Sequence, residues 1–343
     1  MSVTPVRSPL FAEALSLLLD RRDLSGDVVR AIFRHLTAGA FDEAEAAAFL
    51  VGLRMKGETA EELAAAATVL REQMVCVPRP AKPVLDTCGT GGDGRGTFNI
   101  STATALVVAG TGVAVVKHGN RSVSSRSGSA DVLLALGVPI EAGPEWASRC
   151  LQHIGVALCF APHFHPALAR VAVLRRKLGV RTVFNQLGPL LNPAGADYQL
   201  LGVGRPELLD PLAGALARLG VQQAFVVCSR DGLDEVSLGA PTDVRQVRGC
   251  SVRSGQWSAE DFGLEPAPVD DLRADGPDES ARIIRQILAG EAGPARRVVL
   301  ANAAAALLAA EHVPSLKDGV ARAAQAIDSG TALHVLQCLQ NSP

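Results

Sequence analysis

The chain has 343 residues, 48% of them apolar, and its 33 Lys and Arg against 35 Asp and Glu leave a formal net charge of −2. That length suffices for roughly two domains with a sizeable core, and the near-neutral balance excludes a global pull toward nucleic acid or an anionic membrane. No apolar run approaches the ~18 residues of a membrane span, and no basic segment with a small-residue cleavage site opens the chain, so a soluble, cytoplasmic protein is expected. The seven cysteines (Cys76, Cys88, Cys150, Cys159, Cys228, Cys250 and Cys338) are odd in number, scattered and without a C-x-x-C pair. Neither a disulfide framework nor a zinc knuckle is indicated.

In chain order, residues 8–75 read as helical. Phe11-Ala12-x-Ala14-Leu15 opens one helix, Ser25 can cap the next, Asp42 precedes an alanine-rich third, and Gly57 stands at a stop position. Thr59 with Glu62 forms a capping-box pattern ahead of LAAAATVLREQM. The segment VPRPAKP at 77–83 is proline-rich and basic; it cannot continue a helix and reads as a linker. Beyond it, short apolar runs (VLD, VAVV, ALCF, QAFVVCS) alternate with helical periods such as SADVLLALG and PELLDPLAGALARLG, the pattern of βαβ units around a mostly parallel sheet. The expected fold class is therefore α/β, with a small all-helical domain over 1–76 and a larger α/β domain over 77–343.

The stretch DTCGTGGDGRGTFNISTAT, residues 86–104, sets five glycines among hydroxyl side chains. Gly89, Gly91 and Gly94 spell the G-x-G-x-x-G dinucleotide fingerprint, but that motif expects an acid about 20 residues further on, and none precedes Asp131. A nucleotide-triphosphate loop is excluded because no Gly-Lys-Ser/Thr follows. What remains is a glycine nest whose backbone N–H groups, with Thr97, Asn99, Ser101 and Thr102 at the start of the next helix, offer donors to phosphate oxygens. Charge supports this: Gly94–Ala130 contains no carboxylate but carries Arg95, Lys117, Arg121 and Arg126. A second acid-free stretch, 146–196, carries Arg149, Arg170, Arg175, Arg176, Lys177 and Arg181. Two basic tracts in a mildly acidic chain point to a local anion site.

The stretch KHGNRSVSSRSGSADVLLALG, residues 117–137, follows VAVV and so falls at the carboxyl end of a strand, where ligands bind in open α/β sheets. Lys117 supplies a charge, the serines supply donors, and Gly119 and Gly128 permit close backbone approach. His118 can orient a substrate or accept a proton. His163 and His165 form an H-x-H pair flanked by Pro162 and Pro166, with no third metal ligand indicated, and read as a turn. Ala167, Val171, Leu174 and Leu178 make an apolar helical stripe; Arg175 flanks it, whereas Arg176 projects from the opposite face.

Taken together, GTGGDGRGTFNISTA, KHGNRSVSSRSGSADVLLALG, RRKLGVRTVFNQLGPLLNP and DGLDEVSLGAPT resemble the anthranilate phosphoribosyltransferase family, and the likeness extends over nearly the whole chain. The resemblance implies a fold of the nucleoside phosphorylase and class III phosphoribosyltransferase type, in which helices around 166–190 complete the helical domain. It implies phosphoribosyl pyrophosphate (PRPP) and anthranilate as substrates, Mg2+ as cofactor, tryptophan biosynthesis as the setting, and a homodimer formed through the helical domain, with no nucleic-acid or membrane partner. PRPP binding would fall to Gly89, Gly92, Asp93, Thr97, Asn99, Ile100, Ser101, Thr102, Lys117, His118, Gly119, Asn120, Arg121, Ser122, Val123, Ser124, Ser125 and Ser129. Anthranilate would be held by Gly89, Asn120 and Arg175, the arginine pairing with its carboxylate. Ser101, Asp234 and Glu235 would contact Mg2+, which needs few carboxylates because it keeps waters while bridging phosphates.

The implied reaction is displacement at the ribose anomeric carbon by an uncharged, weakly basic amine. It requires no covalent nucleophile and no strong base, so positioning and leaving-group stabilisation carry it. Cys88 just before the glycine loop, and Gln186 where an aliphatic residue is expected, depart from the family pattern. A nucleoside phosphorylase shares the fold; a dinucleotide oxidoreductase would explain G-x-G-x-x-G but lacks its acid; a nucleic-acid-binding relative should carry a strongly basic face.

Overall fold

The structure, a computed structural model, describes residues 9–79, 82–121 and 128–342. Four helices, Pro9–Leu19, Gly26–Ala38, Glu43–Lys56 and Ala60–Arg71, open the chain. Their ends fall where the sequence marks them. Ser25 Oγ accepts from Val28 N–H, Asp42 accepts from Ala44 and Glu45 N–H, Gly57 ends the third helix with φ 92°, and Thr59 with Glu62 closes a capping box. Glu62 is fully buried, yet its carboxylate accepts from Leu24 N–H, Thr59 N–H and Lys56 Nζ, each at 2.8 Å, so both oxygens that burial strips of water are hydrogen-bonded. Phe11, Phe33 and Phe49 meet edge to face in the core of this unit. The later helix Ala169–Leu178 and the short helix Phe184–Leu187 add Val171, Leu174 and Phe184 to the same core.

The remainder forms one seven-stranded sheet: β1 (Val84–Gly89), β2 (Ala114–Gly119), β3 (Val156–Phe160), β4 (Tyr198–Gly202), β5 (Gln223–Ser229), β6 (Thr242–Arg248) and β7 (Ser251–Trp257), in the order β3-β2-β1-β4-β5-β6-β7. The first five strands pair parallel and the last two antiparallel. The chain moves outward from β1 through β2 to β3, then returns to place β4 on the other side of β1. That reversal opens a crevice at the carboxyl ends of β1 and β4, where the loops after them diverge. Helices Ile100–Gly110 and Pro294–Ala309 pack together against one face of the sheet, with Thr331–Gln340 on the outside of Ile100–Gly110, and Leu209–Arg218 packs against Ala60–Arg71 on the other face.

Three strands are not among the apolar runs read from the sequence. The segment of β7, SVRSGQW, is exposed along nearly its whole length as an edge strand, so no buried face imprints an alternation on it. β6 alternates only loosely, and the five residues of β4, all buried, are too few to separate strand from helix by periodicity. Gln186, the departure from the family pattern, is 3% exposed beside Phe184 and Leu187, and its Oε1 has no hydrogen-bond partner. An unpaired buried carbonyl oxygen costs about 1–3 kcal/mol. Gln186→Leu should therefore raise unfolding stability by about 1 kcal/mol or more, read from the urea midpoint; a midpoint that falls would contradict this.

Candidate active site

The crevice is built from three loops. After β1 the chain turns at once: Thr90 N–H donates to Gly202 O at 2.9 Å, and Gly91 and Gly92 adopt left-handed φ values of 61° and 79°. The loop is then pinned to the 272–280 segment by Ala274 N–H to Gly96 O, Phe98 N–H to Leu272 O and Asn99 N–H to Ser280 Oγ, each at 2.9 Å. Asn99 caps helix Ile100–Gly110, its Oδ1 accepting from Thr102 N–H at 3.0 Å. The electropositive end of that helix borders the crevice.

From β2, Lys117 crosses beneath this loop. Its ammonium donates to Thr87 O at 2.7 Å and Ser101 Oγ at 3.0 Å while the residue is 3% exposed. Burial pulls its pKa down, and the surrounding Asp86, Cys88, Glu235 and Asp234 oppose that. Asp86, fully buried on β1, is pushed up to about 6, chiefly by its own desolvation.

The third loop, after β5, brings the acids. A Cβ on Gly202 would stand 1.6 Å from Asp234 O, so only a bare α-carbon at the end of β4 lets this loop cross the strand ends. Asp234 and Glu235 consequently sit beside Asp93 of the glycine loop. Burial and then the Asp93 carboxylate raise Asp234 to about 7. Burial and then Asp234 drive Glu235 well above the carboxylate range, while Ser101 hydrogen-bonds it. Asp93, Asp234 and Glu235 crowd one another, with Lys117 and Arg181 as the opposing charges nearby, and carboxylate oxygens are the donor type that suits a hard cation.

His118 follows Lys117 and faces the other way. Its Nδ1 lies 3.3 Å from Gly188 O, and its Nε2 lies 3.1 Å from Nε2 of His165. Burial first, then His165 and Lys117, depress it to about 3, and burial depresses His165 to about 4. Both imidazoles are neutral at physiological pH. The H-x-H pair, read from the sequence as a turn, is split: His163 lies within the short helix Ala161–Phe164, and only His165 stands between it and the 3-10 turn Pro166–Leu168, where it buttresses His118.

These loops enclose a cleft of about 290 Å³. Of the residues singled out in the sequence, Gly89, Gly92, Asp93, Thr97, Asn99, Ile100, Ser101, Lys117, His118, Gly119, Asn120, Arg121, Ser129, Asp234 and Glu235 all line it. Thr102 and Arg175 do not. Thr102 is fully buried with an unpartnered hydroxyl, and its N–H is spent on Asn99. Arg175 is half-buried, its guanidinium 5.1 Å over the Phe184 ring, whereas Arg176 is exposed. Ser122, Val123, Ser124 and Ser125 lie outside the described residues. The cleft also uses Arg181 and Asn185, which the sequence reading placed in a basic tract and a family segment without a role. Arg181 Nη2 donates to Thr90 O and Gly91 O at 3.0 Å, and its guanidinium occupies the space a Gly92 side chain would need. Asp86, given no role in the sequence analysis, is marked in the sequence only as an acid closing the apolar strand run VLD, where a buried charged side chain is rare.

Residues 12–74 match the helical bundle domain, and residues 81–333 the a/b domain, of the glycosyl transferase family. Anthranilate phosphoribosyltransferase of Symbiobacterium thermophilum is 48% identical over 323 residues, covering 94% of this chain and 95% of its own. The chain belongs to the anthranilate phosphoribosyltransferase family. Among solved members, the enzyme of Thermus thermophilus superposes with TM-score 0.88 at 44% identity over 95% of this chain and 98% of its own. The Saccharomyces cerevisiae enzyme in complex with PRPP and Mg superposes with TM-score 0.87 at 30% identity over 97% of both chains. The small helical unit and larger, mostly parallel α/β unit are thus the architecture of the family, and the chain is a glycosyltransferase-family enzyme.

The depressed pKa of His118 has a defined consequence. Between pH 6.5 and about 3 the unfolded chain binds a proton that folded His118 refuses, so stability falls as pH drops through that window and the group is silent above it. His118→Asn removes this component. The stability of the wild type relative to the variant should decline by up to ~1.4 kcal/mol per pH unit between about pH 6 and 4, read from urea unfolding. A pH-independent difference would mean that the folded imidazole titrates normally.

Proposed function

We propose that this protein transfers the phosphoribosyl group of PRPP to the amine of anthranilate, releasing pyrophosphate, as a cytoplasmic step of tryptophan biosynthesis. The observation that carries this reading is the juxtaposition, in one cleft, of a phosphate-binding glycine loop and buried Lys117 with the carboxylates of Asp234 and Glu235. A polyanion and a hard cation are accommodated side by side.

Lys117, the loop N–H groups and the N-terminus of helix Ile100–Gly110 hold the phosphates, while Asn99 and Ser101 supply side-chain contacts. Ser101, Asp234 and Glu235 would hold Mg2+, which when bound neutralises charge on the departing pyrophosphate. Because Asp234 and Glu235 repel one another in a buried setting, they are poised to accept a cation. Neutral His118, braced by His165 and the Gly188 carbonyl, orients the acceptor beside Asn120. Arg175 has no carboxylate partner among the described residues and is held on Phe184, next to Asn185 of the cleft wall, so its guanidinium remains available to the anthranilate carboxylate. The division at residue 76, with 166–190 completing the helical unit, places that arginine on the helical side and the PRPP loops on the sheet side. Leu19 and Met55, 84% and 75% exposed on the helical unit, support a homodimer formed through it.

The purified protein, given PRPP, anthranilate and Mg2+, should consume anthranilate fluorescence and release pyrophosphate only with the metal present. Asp234→Asn with Glu235→Gln should cut turnover and shift the Mg2+ requirement upward, each by on the order of tenfold or more; wild-type Mg2+ dependence in that variant would remove the metal assignment. Arg175→Ala should raise KM for anthranilate by about 10–100-fold, the worth of a charge-assisted pair. PRPP affinity should change little, and Arg176→Ala should be silent. Equal effects of the two arginine changes would count against Arg175.

A further inference from the structure

At the opposite end of the sheet from the cleft lies a second cavity of about 150 Å³. It sits where the end of helix Ala60–Arg71, the 189–197 segment, and the turn from helix Leu209–Arg218 into β5 converge. Its walls are polar. Arg79 pairs with Asp197 and donates to Gly195 O at 3.2 Å. Asp197 is further satisfied by Val84 N–H at 2.9 Å and Gln222 Nε2 at 3.1 Å. Asn192 and Gln199 spend their amide groups on the sheet: Asn192 Nδ2 donates to Val116 O, and Gln199 Nε2 to Pro189 O, each at 2.7 Å.

Arg71 is the exception. It is partly buried, enough to lower its pKa. Its Nε donates to Leu190 O at 2.7 Å, but among the described residues its Nη groups donate to nothing and no carboxylate pairs with it. With Asp197 already neutralised by Arg79, the lining carries one uncompensated positive charge. A guanidinium partly withdrawn from water with no counter-ion gains from pairing with an anion, and its planar fork matches an oxyanion.

We propose that this junction cavity binds a small oxyanion of the size and charge of inorganic phosphate, paired with Arg71. The anion completes the charge balance where the helical unit, the 189–197 segment and the amino ends of β4 and β5 meet. It occupies a site separate from the substrate cleft, and the inference does not depend on the reaction assigned there.

Isothermal titration of the full-length protein with inorganic phosphate, at fixed ionic strength, tests it. The wild type should show two binding events, one in the cleft and one at the junction. Arg71→Gln should weaken the junction event by about tenfold or more, the loss of one charge-assisted pair, and leave the cleft event intact. Lys117→Met should do the reverse. Ala196→Glu, which adds a carboxylate to the cavity wall without removing any native contact of Arg71, should also abolish the junction event, and it carries the test if Arg71→Gln fails to fold. A single event lost with Lys117→Met but indifferent to Arg71→Gln and Ala196→Glu, or no phosphate binding at all, would overturn the proposal. Two events of which neither responds to Lys117→Met would count against the cleft as a phosphate site while leaving the junction site standing.

Discussion

A lysine ammonium buried between strand ends is the constraint around which the rest of this structure is arranged. Lys117 is nearly sealed from water, and an isolated charge there would be expelled or neutralised. It persists because Thr87 O and Ser101 Oγ accept its protons and because Asp86, Asp234 and Glu235 surround it with negative charge. Those carboxylates are in turn strained by burial and by one another, as the raised pKa values of Asp86 and Asp234 express. The cluster holds one fixed cation and an excess of acid. A substrate bringing both phosphate charge and a divalent metal relieves both sides of that imbalance, which is the electrostatic logic of a metal-assisted leaving-group site.

Holding such groups together requires backbone to approach backbone. The bare α-carbon of Gly202 lets the Asp234 carbonyl lie against the end of β4, and the left-handed turn at Gly92 leaves room for Arg181. Arg181 belongs to the segment that joins the helical unit to the sheet, and its two bonds to the carbonyls of Thr90 and Gly91 tie that segment to the glycine loop. The helical side and the sheet side of the cleft are thereby joined through one guanidinium. His165 plays a parallel part by bracing His118 from the same side.

Much of this organisation is legible in the residue order, for reasons local to it. Ser25, Asp42, Gly57 and the Thr59–Glu62 pair mark helix ends because capping is satisfied within three or four residues. The glycine loop and the KHGN segment announce an anion site because donors and bare backbone are concentrated there, and the family resemblance supplies the partners. Arg175 is separated from Arg176 by helical phase alone, and the structure keeps that distinction. Less legible were β4, β6 and β7. A short buried strand carries no period, and an exposed edge strand has no apolar face to display.

The sequence by itself determined the α/β architecture with its helical N-terminal unit and the two glycine- and donor-rich segments, since each rests on short-range periodicity, capping or motif spacing; Asp234 and Glu235 were named only through the family resemblance. Only the tertiary structure decided that Thr102 turns inward, that Arg175 stacks on Phe184 outside the cleft lining, that Arg181 clasps the glycine loop, that His165 meets His118, and that Arg71 is left without a counter-ion. Each of these depends on which residues far apart in the chain are brought within a few ångströms in a low-dielectric interior. Pairing, desolvation and close approach are properties of that juxtaposition, and no local pattern encodes them.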